Sequence, residues 1–193
     1  MGKDFFKRFV RIPRSRGFGV QSPWAYRFVR SVVSERLPFY GYVDLAGELD
    51  AMSAADRRRA KFLLRLANFL QTGKWMLVGR DMPRFSKFIK AGKQAAEITL
   101  ADNLTALETT SIPDVLMVDL PVEETSFLSY FIGKYSTEQT IILNHIHDSR
   151  EATRQWRQLC RHEHVSMAFD LYDCGILFFH PTQTPQNYVL RLP

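Results

Sequence analysis

The chain has 193 residues, of which 46% are hydrophobic and 24% charged, enough apolar material for one good core and a single α/β domain with a helical extension. No apolar run approaches the ~20 residues that span a bilayer, the N-terminus lacks a signal-peptide apolar core, and two cysteines, Cys160 and Cys174, cannot build a disulfide framework. These features predict a cytoplasmic protein with reduced thiols, and they set aside membrane-spanning and disulfide-stapled classes. The net charge of +6 is concentrated at the front. Residues 1–36 hold nine Lys/Arg against Asp4 and Glu35, a local net of +7, so the remainder carries 17 bases against 18 acids.

Residues 2 to 12 interleave Phe5, Phe6 and Phe9 with Lys3, Lys7, Arg8 and Arg11, the pattern of a short amphipathic helix, and Arg14 to Gly19 reads as a loop. Ser22 and Pro23 predict an N-cap and first position for a helix to about Arg36, with Trp24, Phe28, Val29, Val32 and Val33 on one face. Leu37 to Asp50, with Pro38, Gly41 and Gly47, reads as irregular. The expected division is therefore a basic aromatic helical extension over 1–50 and a Rossmann-like domain over 51–193. The arm offers its cations to an anionic partner: RNA, a membrane surface or a protein.

Ser53 and Asp56 form a capping pattern for a helix to about Leu70, striped by Leu63, Leu66, Ala67 and Leu70. Trp75 to Val78 is a short strand closed by Gly79, Pro83 opens a helix over Arg84 to about Ala91, and Glu97 to Ala101 is a further strand. Asp114 to Asp119 (DVLMVD) is a buried-type strand ending in a carboxylate, followed by a helix from Glu123 to Ile132 that Gly133 stops.

Thr140 to Leu143 is apolar and breaks into the polar cluster Asn144, His145, His147 and Asp148. A helix follows with Ala152, Trp156, Leu159 and Cys160 on one face. Two more apolar runs, Val165 to Leu171 and Gly175 to Phe179, flank a turn read at Asp173-Cys174-Gly175, and Tyr188 to Leu192 can add an edge strand after the loop of Pro181 to Pro185. Alternating strands and helices imply a mostly parallel sheet with an antiparallel C-terminal hairpin. The polar cluster then lies beyond the carboxyl end of a strand, where open α/β sheets form ligand clefts.

Several segments resemble the class I S-adenosylmethionine-dependent methyltransferases, in particular small bacterial O-methyltransferase-like proteins. Gly19-Val20-Gln21-Ser22-Pro23-Trp24 is similar to their Gly-Val-His-Ser-Pro-Phe signature. Asn144-His145-Ile146-His147-Asp148-Ser149-Arg150 is similar to their Asp-Asp-Ile-His-Trp-Ser-Arg, and Asp114 to Asp119 to their strand ending in Ile-Asp. The resemblance covers roughly two-thirds of the chain and implies S-adenosylmethionine as cofactor. It places Gly79, Asp102 and Asp119 on the cofactor side, where Arg80 also stands as this chain's own residue, and Asp119, His145 and His147 in catalysis on a hydroxyl or other small acceptor.

The departures point the other way. The family's acid-containing strand and glycine-rich turn are replaced by Met76-Leu77-Val78-Gly79-Arg80-Asp81-Met82-Pro83, where Leu77 stands for the acid and bulky side chains occupy positions of small ones. The ribose-binding acid is either Asp102, one position late, or lost with a deleted strand-helix unit. The oxygen-rich metal pair of metal-dependent relatives is Asn144 and His145 here, so no metal is expected, and Cys160, His162 and His164 lack zinc spacing. Arg80 ahead of a helix favours an anion over a sulfonium. The expected protein is a methyltransferase-like chain with a degenerate site, a non-catalytic or altered-ligand binding module taking a small molecule or anion in the cleft. An active methyltransferase, RNA binding through the arm, and homo-oligomer formation are the alternatives.

Overall fold

Ser22 accepts a hydrogen bond from the Ala25 amide and, with Pro23 at the first position, starts helix α1, Pro23–Phe28, as its sequence requires. The computed structural model describes residues 22–109, 111–123, 125–133, 139–179 and 185–193. The amphipathic helix expected over residues 2 to 12, the Arg14 to Gly19 loop and most of the Pro181 to Pro185 loop lie outside them.

The described residues form two compact units, one from those up to Gln71 with Phe85–Ala95 and Val189–Pro193, the other from those within Thr72–Arg84 and Ala96–Tyr188. In the first, α1 runs on into a wider π-type turn, Val29–Val33, so the single helix expected to Arg36 changes its winding and ends early. The stretch expected to be irregular instead holds two short helices, α2 (Tyr40–Asp44) and α3 (Ala46–Asp50). Helix α4, Ala54–Leu70, is capped by Ser53, whose hydroxyl accepts from the Asp56 amide. Its Arg65, 4% exposed, donates to the Val32 carbonyl at 2.6 Å and the Tyr42 hydroxyl at 3.0 Å, tying α4 to α1 and α2. Helix α5, Ser86–Gly92, packs against α4 at Gly92, where a Cβ would stand 2.2 Å from the Leu64 carbonyl oxygen.

The second unit is built on a sheet of seven strands among the described residues: β1 Lys74–Val78, β2 Glu97–Ala101, β3 Val115–Asp119, β4 Thr140–Asn144, β5 Met167–Asp170, β6 Cys174–Phe178 and β7 Gln186–Val189. Their order is β2-β1-β3-β4-β6-β5-β7. The pairs β1/β2, β1/β3 and β3/β4 are parallel, while β4/β6 and β5/β6 are antiparallel. The fold is thus Rossmann-like with an antiparallel C-terminal hairpin, as the strand pattern predicts. Cys174 and Gly175 belong to β6, not to the turn, which closes through Leu171 N–H to the Cys174 carbonyl at 2.9 Å.

Short helix α6, Ala106–Thr109, follows β2 and has no counterpart in the sequence pattern; α7, Thr125–Ile132, follows β3, and α8, Arg150–Leu159, follows β4. Alternate strand residues Met76, Val78, Leu116, Val118, Ile141 and Leu143 form one core with Leu107, Leu128, Ile132, Ala152, Trp156 and Leu159 from these helices. Gly175 is required here, since a Cβ would lie 2.5 Å from the Trp156 ring. No helix among the described residues is long and apolar enough to cross a membrane.

Candidate functional site

Strand β1 has β2 on one side and β3 on the other, and the chain leaves β1 toward one neighbour and returns to the other. Such a reversal opens a crevice at the carboxyl ends of the two strands. Gly79 ends β1 and Asp119 ends β3 at this point. Parallel pairing sets Val78 opposite Val118, and Asp119 opposite Asn144 of β4, so three strand ends bring the predicted residues together.

The contacts there are close. Gly79 has φ 139°, open to glycine and unfavourable to other residues. A Cβ at that position would lie 2.8 Å from Asp119 Oδ2 and 3.4 Å from Met82 Cγ. The Gly79 N–H is spent on the Ala101 carbonyl at 3.0 Å, and the Met82 N–H closes onto the Gly79 carbonyl at 3.4 Å. Met82 itself is 1% exposed, with its sulfur 3.9 Å from Asn144 Nδ2. Of the bulky residues after Gly79, Met82 is the buried one, while Arg80 is exposed. The helix expected at Arg84 begins one step later, at Ser86, after a 3₁₀ turn over Met82–Phe85.

Asp119 Oδ1 accepts from Asn144 Nδ2 at 2.9 Å and stands 3.7 Å from His145 Nε2. The other ring nitrogen, His145 Nδ1, is 2.6 Å from Asp148 Oδ2. The imidazole thus lies between two carboxylates on a backbone with φ 60°, a left-handed conformation uncommon outside glycine that histidine tolerates better than most residues. Asn144 is buried and its Oδ1 has no hydrogen-bond partner among the described residues. The amide turned toward Asp119 presents a nitrogen donor, so Asp119, Asn144 and His145 do not converge as oxygen ligands. Among the described residues no group of three or more His, Cys, Asp or Glu is placed to hold a metal ion.

His147 is positioned differently. Its Nε2 is 2.8 Å from Oδ2 of Asp170, at the end of β5, while Asp170 Oδ1 accepts from the Tyr172 amide at 2.9 Å. The carboxylate is mostly buried and fixed on both oxygens, so it orients the ring. Asp102 follows the edge strand β2 beside β1 and is exposed, which makes it the residue just past the strand adjoining β1.

The sequence does not disclose Asp170 or Gln155. The only mark of Asp170 is a carboxylate ending an apolar run. Gln155, on the buried side of α8, receives the Val122 amide at 3.0 Å and donates to the Val122 carbonyl at 2.8 Å, pinning the segment that leaves Asp119. A buried glutamine on an otherwise apolar helix stripe was its signal.

No protein-family model matches the chain, and no curated protein sequence matches it. Solved structures do. Cofactor-bound Rv0187 from MTB aligns with a TM-score of 0.51 at 14% identity over 82% of this chain and 99% of its own. The SAH-bound methyltransferase PaMTH1 of Podospora anserina aligns with a TM-score of 0.54 at 9% identity, over 93% and 97%. At such identities the likeness is one of fold, and that fold is the class I methyltransferase-like one.

Proposed function

We propose that this chain keeps the methyltransferase-type fold as a non-catalytic binding module whose methyl-donor seat is closed. The observation that carries the reading is Met82, buried against Gly79 and Asn144 while the Asp119 carboxylate fills the space beside Gly79. A Rossmann-type site needs bare backbone amides at this turn so that a ligand can approach. Here the Gly79 and Met82 amides are committed to internal partners. The residues present do not fit an adenosyl sulfonium ligand, and no methyl-transfer step is derived through one. With the exposed Arg80 next to Gly79, the mouth of the crevice would instead take a small molecule or anion, and the basic arm of residues 1–36 would make the contact to a larger anionic partner.

Isothermal titration of the full chain with S-adenosylmethionine and with S-adenosylhomocysteine tests this. No saturable heat at ligand concentrations of about 1 mM is the expected result; a micromolar Kd overturns the reading. For the arm, replacing Lys3, Lys7, Arg8 and Arg11 with Ala is expected to weaken salt-sensitive capture by heparin resin, and unchanged elution removes that role.

One observation favours a second reading, methyl transfer to a hydroxyl acceptor. The His147–Asp170 pair has the geometry that holds an imidazole ready to take a proton. His147→Gln abolishing methyl incorporation by the intact protein would establish that reading in place of the first.

A further inference from the structure

A second feature of the same unit lies away from the Gly79 turn. Helix α8 carries Arg150, Arg154 and Arg157, and Arg161 follows in the turn beyond it, at spacings of four, three and four residues. That is the repeat of one helix face, so the four side chains form a stripe roughly 16 Å long at about 1.5 Å per residue. All four residues are exposed and line one open groove of about 870 Å³ that reaches His147. The opposite face of α8, Ala152, Trp156 and Leu159, is buried, so the stripe is fixed to the sheet and cannot turn away.

The charges in the groove are unbalanced. Among the described residues its one lining carboxylate, Asp148, is held by His145, and Glu151 of α8 is taken by Arg154 in a two-point pair at 2.7 and 3.1 Å. Arg150, Arg157 and Arg161 carry no carboxylate partner among the described residues. Three guanidinium groups in a concave, water-accessible channel focus a positive potential along a line.

We propose that this groove binds a single strand of nucleic acid through its phosphates. A row of evenly spaced cations matches a polymer with evenly spaced anions, and guanidinium forks suit phosphate oxygens. At 3.4 Å or more per nucleotide, about 16 Å accommodates roughly three to five phosphates. Among the described residues the lining offers no Phe, Tyr or Trp for base stacking, so recognition is of backbone and indifferent to sequence. A bilayer is a poorer match, because membrane-surface helices need an apolar face to insert, and the apolar face of α8 is buried in the core. The inference stands whether or not the methyl-donor seat is closed.

Fluorescence anisotropy of the full chain with labelled 15-nucleotide oligouridylate and oligothymidylate, from 50 to 300 mM salt, tests it. Both probes are expected to bind with affinities within a fewfold of each other, and with log K falling against log salt at a slope of about −2, from three neutralised phosphates. R157A/R161A is expected to weaken binding at least tenfold at 50 mM salt and bring the slope to about −0.7. R157K/R161K, which keeps the charges, is expected to retain most of the affinity, and circular dichroism melts should leave all variants folded.

The proposal fails if neither probe binds, or if the R157A/R161A protein binds as tightly as the parent. It also fails if only the Lys3, Lys7, Arg8, Arg11 variant loses binding, which would place the contact on the arm. Equal competition by polyglutamate, or more than tenfold preference between the two sugars, would likewise overturn phosphate-backbone recognition by this groove.

Discussion

At Gly79 a single hydrogen atom is what lets the β1 turn lie against a carboxylate. Gly79→Ala combines a φ of 139° with a Cβ 2.8 Å from Asp119 Oδ2, and should cost about 1–3 kcal/mol in urea unfolding. Asp170→Ala should cost a similar ~2–3 kcal/mol, because it strips a partner from His147 and the acceptor from the Tyr172 amide, whose residue sits at φ 74°. Cys160 supplies a pH test. Burial, with the charge of Asp170 adding to it, pushes its thiol up to about 12 from an ordinary 9.0. The folded state therefore holds the proton where the unfolded chain releases it. That contribution is intact below pH 9 and is lost as pH climbs from 9 toward 12, at on the order of 1 kcal/mol per unit. Comparing urea midpoints at pH 8 and pH 10.5 should show the parent losing more stability than Cys160→Ala. Of these residues, Asp119, His145 and His147 are legible in the sequence because strand ends announce themselves by a switch from apolar to polar. Asp170 is not, because its pairing with His147 depends on the register of the β5/β6 hairpin, 23 positions later in the chain.

Contacts between elements rest on two glycines that the sequence marks only as small. At Gly92, Ala would drive a methyl into the Leu64 carbonyl 2.2 Å away, prising α5 from α4; a loss of about 3 kcal/mol or more in thermal or urea unfolding is expected. Gly175→Ala meets the Trp156 ring at 2.5 Å, so Gly175→Ala and Trp156→Leu should be strongly coupled. In a double-mutant cycle the pair should destabilise less than the sum of the singles by about 1 kcal/mol or more. Additive losses would show that the ring moves aside freely. The long elements are readable because α4 carries its own cap and apolar stripe, and the buried strands are unbroken apolar runs. The short helices α2 and α3 are not, since Pro38, Gly41 and Gly47 carry breaker signals and the helices lie exposed, with only Leu49 buried in either. What holds that region is the Arg65 guanidinium reaching Val32 and Tyr42, a contact across distant segments that no local pattern encodes. Burial there pushes the Tyr42 phenol up from its ordinary value despite the neighbouring guanidinium.

For the molecule as a whole, fold and fate of the site are written at different ranges. The alternation of strands and helices, with one hairpin at the end, dictates a largely parallel sheet, and the sheet dictates where a crevice opens. Met82, on which the proposed closure of that crevice rests, is buried in the turn after β1, a contact that local patterning does not announce. The same sheet ends at β2, whose strand residues are largely accessible and whose Leu100 is 50% exposed. Among the described residues nothing pairs with its outer side. Unsatisfied amides along a strand margin are adhesive, and Glu97 is the one charged residue guarding this margin. Concentrated solutions should therefore show reversible self-attraction, read as a negative second virial coefficient in static light scattering. A lysine gatekeeper, Leu100→Lys, should turn that coefficient positive while leaving the melting temperature within about a degree.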